Sequence, residues 1–265
     1  MPLKVAVSGK GGVGKTTISA MLAGIYGRQG KSVIAVDADP SPNLALALGL
    51  PREVRDRITP LSLMLDLIEE RTGVRPGSSF GAIFKINPQV DDIVDKYGVK
   101  VTDKIRLLVL GSVEAGGTGC FCPEHALLRR LTKHLVLDRN DVLIMDMEAG
   151  VEHLGRGTAE GVDLMLIVVE PGLRSVEAAR RIKTLAADVG IRKVAAVVNK
   201  VRESSDLEAI SVEMQGLGTP ILSSISQDPG LVAADLEGES PLEIASEETL
   251  CSLERLAEGM SEFAK

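Results

Sequence analysis

Short apolar runs recur along the chain at 3–8, 32–37, 105–110, 142–147, 164–170, 194–199 and 221–225. They are rich in Val, Ile, Leu and Ala and too short for buried helices, which predicts strands. Between most of them apolar residues return at three- and four-residue spacing, which predicts helices over 16–28, 124–137, 174–188 and 206–215. In the first helix Ile18, Met21, Leu22 and Ile25 share one face. Strands alternating with helices predict an α/β fold with a mostly parallel sheet and helices on both faces. Ligands in such sheets bind beyond the carboxyl ends of the strands. The rhythm is broken between 51 and 103, where a helical piece near 61–71 is followed by Gly73, Pro76, Gly77, Ser78 and Ser79, then by acidic Asp91, Asp92 and Asp95. We read residues 1–265 as a single domain carrying this stretch as an excursion, either a solvated insertion or part of a partner surface. A further helical pattern near the C-terminus contains Cys251, which we expect in the core.

Composition narrows the class. The 265 residues are 45% hydrophobic and 25% charged, enough for one sizeable core. A net charge of −7 disfavours bulk nucleic-acid binding, and 2% aromatics with no Trp leave few platforms for stacking on bases. No apolar run approaches 18 residues, and Leu3 leads directly into a strand, so neither a membrane span nor a signal peptide is expected. Three cysteines fit a reducing cytoplasm without a disulfide framework.

The first strand runs into Gly9-Lys10-Gly11-Gly12-Val13-Gly14-Lys15-Thr16-Thr17. Gly9, Gly14, Lys15 and Thr16 satisfy the P-loop spacing G-x-x-x-x-G-K-[ST]. Glycines let successive N–H groups aim at one anion, and the following helix adds its positive N-terminal end. Lys15 is expected at the β- and γ-phosphates, and the Thr16 hydroxyl on Mg²⁺. Lys10 is a second lysine that the ordinary spacing does not require; it suggests a nucleotide that controls the assembly of two subunits.

Carboxylates end two other strands. Asp37 and Asp39 close the second, in Val36-Asp37-Ala38-Asp39-Pro40; Asp39 lies one step further out and is the candidate for positioning the attacking water. Val142-Leu143-Ile144-Met145-Asp146 has the Walker B pattern, with Asp146 expected to hold Mg²⁺. Asn199 and Lys200 end a later strand, where an amide suits the adenine edge, and Ser226 and Asp228 follow the next, where they could line its other side.

Gly119-Cys120-Phe121-Cys122-Pro123-Glu124-His125 carries different chemistry. In extended chain Cys120 and Cys122 project to one side, and two sulfurs about 3.7 Å apart can share a tetrahedral metal. Pro123 reads as a helix N1 residue, which places both thiols where a helix end favours thiolate. Two thiolates do not complete a tetrahedral site, but a symmetric dimer supplies four. Softness admits Zn²⁺ or Ni²⁺. His125 is a possible further ligand, although a lone helical His is more often structural.

Lys10 to Thr17 resembles the deviant Walker A motif of the MinD/ParA and nitrogenase-iron-protein superfamily. That resemblance covers most of the chain. It implies a SIMIBI-like P-loop NTPase that hydrolyses ATP to ADP and phosphate, with Lys10 reaching across a homodimer to the partner's nucleotide. Asp39 then matches the switch I aspartate and Asp146 the Walker B aspartate. Gly119 to Pro123 and the stretch Asp146 to Gly157, including His153, are similar to the CooC-type ATPases, nickel-insertion accessory proteins for carbon monoxide dehydrogenase, and to the related acetyl-CoA synthase maturation factor. Met147 departs from the Thr expected in many members. The resemblance implies a Cys-x-Cys pair that binds Zn²⁺ or Ni²⁺ at the dimer interface. It also implies an ATP-dependent metallochaperone whose client is carbon monoxide dehydrogenase or acetyl-CoA synthase, with no nucleic-acid or membrane partner.

Two rival readings come from the same superfamily. An iron–sulfur electron-transfer ATPase would place a Cys just after Walker B, where Met147 to Gly150 has none. A MinD/ParA-like positioning ATPase would hold membrane through a basic C-terminal helix or DNA through basic patches. Here the tail carries Glu243, Glu247, Glu248, Glu254, Glu258 and Glu262 against Arg255 and Lys265, and an acidic face is repelled by anionic lipid.

Overall fold

The structure is a computed structural model and describes residues 2–76, 85, 87–111, 126–127, 130–131, 141–148 and 161–265. The strands are β1 Leu3–Gly9, β2 Ser32–Asp37, β3 Val99–Lys100, β4 Ile105–Val109, β5 Asp141–Asp146, β6 Leu164–Val169, β7 Val194–Val201 and β8 Ile221–Ser226. They form one sheet in the order β3-β4-β2-β5-β1-β6-β7-β8. Each pairing is parallel except β3–β4, an antiparallel edge. The two-residue β3 is too short to leave a periodic signal, and the sequence reading missed it.

The helices are α1 Lys15–Arg28, α2 Leu44–Ala47, α3 Arg52–Arg55, α4 Leu65–Thr72, α5 Ile93–Tyr97, α6 Leu173–Asp188, α7 Ser204–Gly216, α8 Pro229–Glu237, α9 Pro241–Ile244 and α10 Glu247–Phe263. The central strands β1, β5, β6 and β7 are apolar on both faces because both faces are covered. On one side Val5, Val7, Val33, Ile144, Leu166 and Val197 pack with Ile18, Met21 and Leu22 of α1 and Leu253, Leu256 and Met260 of α10. On the other, Ala6, Leu143, Met145, Ile167 and Val198 pack with Val176 and Ile182 of α6 and Ile210 and Met214 of α7. Tyr26 is buried and its hydroxyl donates to the Ala257 carbonyl at 2.9 Å, tying α1 to α10.

Within the interruption at 51–103, Leu61, Leu67, Ile68, Val90 and Ile93 are buried in the second of these clusters. The acidic segment there is tethered: Asp92 takes a two-pronged bond from Arg71 at 2.9 and 2.8 Å and an ion pair from Lys96 at 2.7 Å. The predicted helix over 124–137 falls mostly outside the described residues; positions 126, 127, 130 and 131 are helical, and Leu127 and Leu131 are buried. Cys251 corrects an expectation. It lies on α10 but is exposed, because the helix turns Leu253, Leu256, Ala257 and Met260 inward and position 251 falls off that stripe.

Candidate functional site

The central strand β1 delivers the P-loop to the carboxyl edge of the sheet, between β5 and β6. Gly14 caps α1 with φ at +98°, a conformation that favours glycine. A Cβ there would also lie 2.5 Å from the Asn199 amide nitrogen. That nitrogen donates to the Val13 carbonyl at 2.8 Å, so the buried Asn199 pins the loop to the end of β7. Val13 is buried and anchors the loop from within, while Gly11 and Gly12 are exposed. Lys15 is buried, and its ammonium donates to the Lys10 carbonyl at 3.4 Å, folding its stem back over the cradle.

Two buried carboxylates stand at the ends of adjacent strands, Asp37 opposite Asp146 in the β2–β5 register. Asp146 accepts from the Thr16 hydroxyl at 2.6 Å and the Ser19 hydroxyl at 3.2 Å. Burial pushes its carboxyl up to about 7, against the Thr16 bond, and the neighbouring Asp37 adds to the rise. Burial likewise pushes Asp37 up to about 6, opposed by backbone N–H groups of Leu44 and Asp39. Those bonds, 2.8 Å from Leu44 and 3.2 Å from Asp39, make Asp37 the organiser of the turn that presents Asp39. Asp39 accepts from the Ser41 N–H at 2.9 Å.

The Thr16 hydroxyl and the Asp146 carboxylate are hard oxygens beside each other and a second acid, a donor set suited to Mg²⁺. The glycine-lined turn at a helix N-terminus with a buried lysine suits a polyphosphate. The residues present therefore fit ATP with Mg²⁺.

The remaining predicted residues fall on the same edge with other partners. The Lys200 ammonium donates to the Gly12 carbonyl and lies 3.5 Å from Glu170, while Lys10 lies 3.3 Å from the other oxygen of Glu170. Ser226 donates to Glu248 at 2.8 Å. Asp228 caps α8, accepting from the Gly230 N–H, and also accepts from the Ser246 N–H and the Thr249 hydroxyl. The first hydrogen bonds of Asn199, Ser226 and Asp228 are thus to the protein itself. Sequence reasoning passed over Ser19 and Glu170. Ser19 could have been found, since it sits three residues after Thr16 on the same helix face; Glu170 carries no motif. Cys120, Cys122, His125 and His153 lie outside the described residues. Among the described residues no group of three or more His, Cys, Asp or Glu could hold a metal ion, and no helix is long and apolar enough to cross a membrane.

The family described as CobQ/CobB/MinD/ParA nucleotide binding domain matches residues 4–242. An uncharacterized ATP-binding protein of Methanocaldococcus jannaschii is 48% identical over 237 residues, 89% of this chain and 90% of that protein. The carbon monoxide dehydrogenase accessory protein CooC of Rhodospirillum rubrum is 44% identical over 238 residues, 90% of this chain and 89% of that protein. Among solved structures, the MinD cell division protein of Aquifex aeolicus superposes with a TM-score of 0.70 at 23% identity, covering 98% of this chain and 97% of that one, a likeness of fold.

Proposed function

The chain belongs to the CobQ/CobB/MinD/ParA nucleotide-binding family and is an ATPase, and from that premise we propose that it is a CooC-like maturation factor. In this reading it is an ATP-dependent metallochaperone that inserts nickel into carbon monoxide dehydrogenase or acetyl-CoA synthase. The observation that carries the reading is the coincidence of a P-loop joined to Walker B, Thr16 to Asp146 at 2.6 Å, with 44% identity to CooC along nearly the whole chain. Lys15 and the loop N–H groups from Gly9 to Thr17 take the phosphates. Thr16 and Asp146 take Mg²⁺, and Asp39 orients the attacking water. Asn199, Lys200, Ser226 and Asp228 border the base.

Cys120 and Cys122 from each of two copies supply four thiolates to one Ni²⁺ or Zn²⁺ at a dimer interface. Lys10 from each copy serves the partner's nucleotide, so ATP closes the dimer and alters the metal site. The protein works in the cytoplasm. A Cys120→Ser, Cys122→Ser double variant tests the metal half. Metal content by mass spectrometry is expected to fall from about one ion per dimer to none, with ATP binding retained. Unchanged metal content removes the Cys-x-Cys site.

A further inference from the structure

Glu170 stands on the rim of the phosphate cradle, directly after β6. A carboxylate at that position repels an incoming polyphosphate and so works against the loop beneath it. Its surroundings show what it holds instead. One oxygen lies 3.3 Å from the Lys10 ammonium and the other 3.5 Å from the Lys200 ammonium. The Glu170 N–H donates to the Ser175 hydroxyl at 3.0 Å, which fixes the turn from β6 into α6. Lys200 is held in the left-handed region, φ 58°, the only non-glycine so placed among the described residues. A left-handed lysine is a strained choice that its neighbours must over-determine. Here they are Glu170 and the Gly12 carbonyl, to which Lys200 also donates.

We propose that Glu170 is a positioning residue that holds Lys10 within its own chain, so that Lys10 must leave this carboxylate before it can serve a phosphate. The pair is partly exposed, with 38% of the Lys10 and 25% of the Glu170 side chain accessible, and exposed pairs are weak enough to be broken by a competing anion. A polyphosphate is such a competitor, and Lys200 remains to neutralise Glu170 once Lys10 has left. The carboxylate thereby sets how much nucleotide is needed to release the lysine. This inference rests on reading Lys10 as a nucleotide-side residue.

The test is a double-mutant cycle on apparent ATP affinity, measured with Mg²⁺ at a protein concentration high enough for self-association. A lysine that serves its own or a partner's phosphates then counts alike. Glu170→Gln is expected to tighten ATP binding about three-fold, and at most about five-fold, equivalent to about 1 kcal/mol. Lys10→Ala is expected to weaken it. Adding Glu170→Gln to Lys10→Ala is expected to change affinity by less than about 1.5-fold, because the lysine to be released is gone. The melting temperature, which an exposed ion pair scarcely moves, serves as the folding control. Equal tightening in both backgrounds would show that Glu170 is only a charge near the phosphates and would overturn the proposal. So would unchanged or weaker binding in Glu170→Gln itself. If Lys10→Ala alone binds ATP as the wild type does, the role of Lys10 falls and this inference falls with it.

Discussion

Asp146 is buried beside a second buried carboxylate, and its oxygens accept from the hydroxyl groups of Thr16 and Ser19. Its folded carboxyl titrates near 7, where the unfolded group titrates at 3.8. Between those values the native state holds a proton that the unfolded chain has released, so stability falls as pH rises through this window. Asp37, raised to about 6, acts in the same direction. The nucleotide-free protein is therefore expected to melt at progressively lower temperature from pH 5 to pH 8. Asp146→Asn keeps the shape and removes the titration. It is expected to flatten the slope and to raise stability at pH 8 by on the order of 2–4 kcal/mol, with roughly 2–4 °C for each kcal/mol. Differential scanning fluorimetry across pH reads both; an unchanged slope in Asp146→Asn would show that the carboxyl ionises freely in the fold. Mg²⁺ needs the deprotonated form, so the acid that costs stability is the one the metal relieves. At this scale the motif residues were legible because the P-loop spacing is strict. The partners that tune them were less so: Glu170 carries no motif, and the bond from Asn199, a residue picked out for the adenine edge, to the Val13 carbonyl arises only through strand order.

At the scale of elements, Asp228 joins two helices. It caps α8 through the Gly230 N–H at 2.8 Å and reaches the start of α10 through the Ser246 N–H at 2.9 Å and the Thr249 hydroxyl at 2.8 Å. Burial alone would raise its carboxyl, but these bonds together outweigh burial and hold it below the usual value. Asp228→Ala removes a cap and leaves the buried Thr249 without this acceptor. A loss of about 1–3 kcal/mol is expected by chemical denaturation at neutral pH. A lowered folded pKa means this contribution is present above pH 3.8 and fades as pH falls further, so the variant and wild type should converge in acid. A variant as stable as wild type would show that the cap is redundant. The long runs were readable as strands because a sheet buried on both faces demands continuous apolar residues. The C-terminal elements were harder. Asp228-Pro229 and Ser240-Pro241 are start signals for short helices, but the first, close behind the end of β8, and the second, close behind α8, read equally well as loop. Cys251 shows the same difficulty, since a helical pattern does not by itself say which face is buried.

Over the whole molecule, parallel order gathers residues of the phosphate cradle and its rim onto one edge: Gly9 from β1, Asp37 from β2, Asp146 from β5, Glu170 after β6, Asn199 from β7 and Ser226 from β8. Residues as distant in sequence as Lys10 and Lys200 become neighbours of one carboxylate because β6 lies between β1 and β7. The P-loop and the start of α1 are thus bonded to the ends of several strands, through Asp146, Asn199 and Lys200. In the proposed function the nucleotide and the metal govern one another. If they do, linkage requires the two effects to be equal. The direct measurement is the Kd for Ni²⁺ with and without a non-hydrolysable ATP analogue and Mg²⁺, paired with the Kd for that analogue with and without Ni²⁺. A change of about ten-fold is expected in both, by the same factor, corresponding to about 1.4 kcal/mol of coupling. Nickel affinity that is identical with and without nucleotide would contradict it.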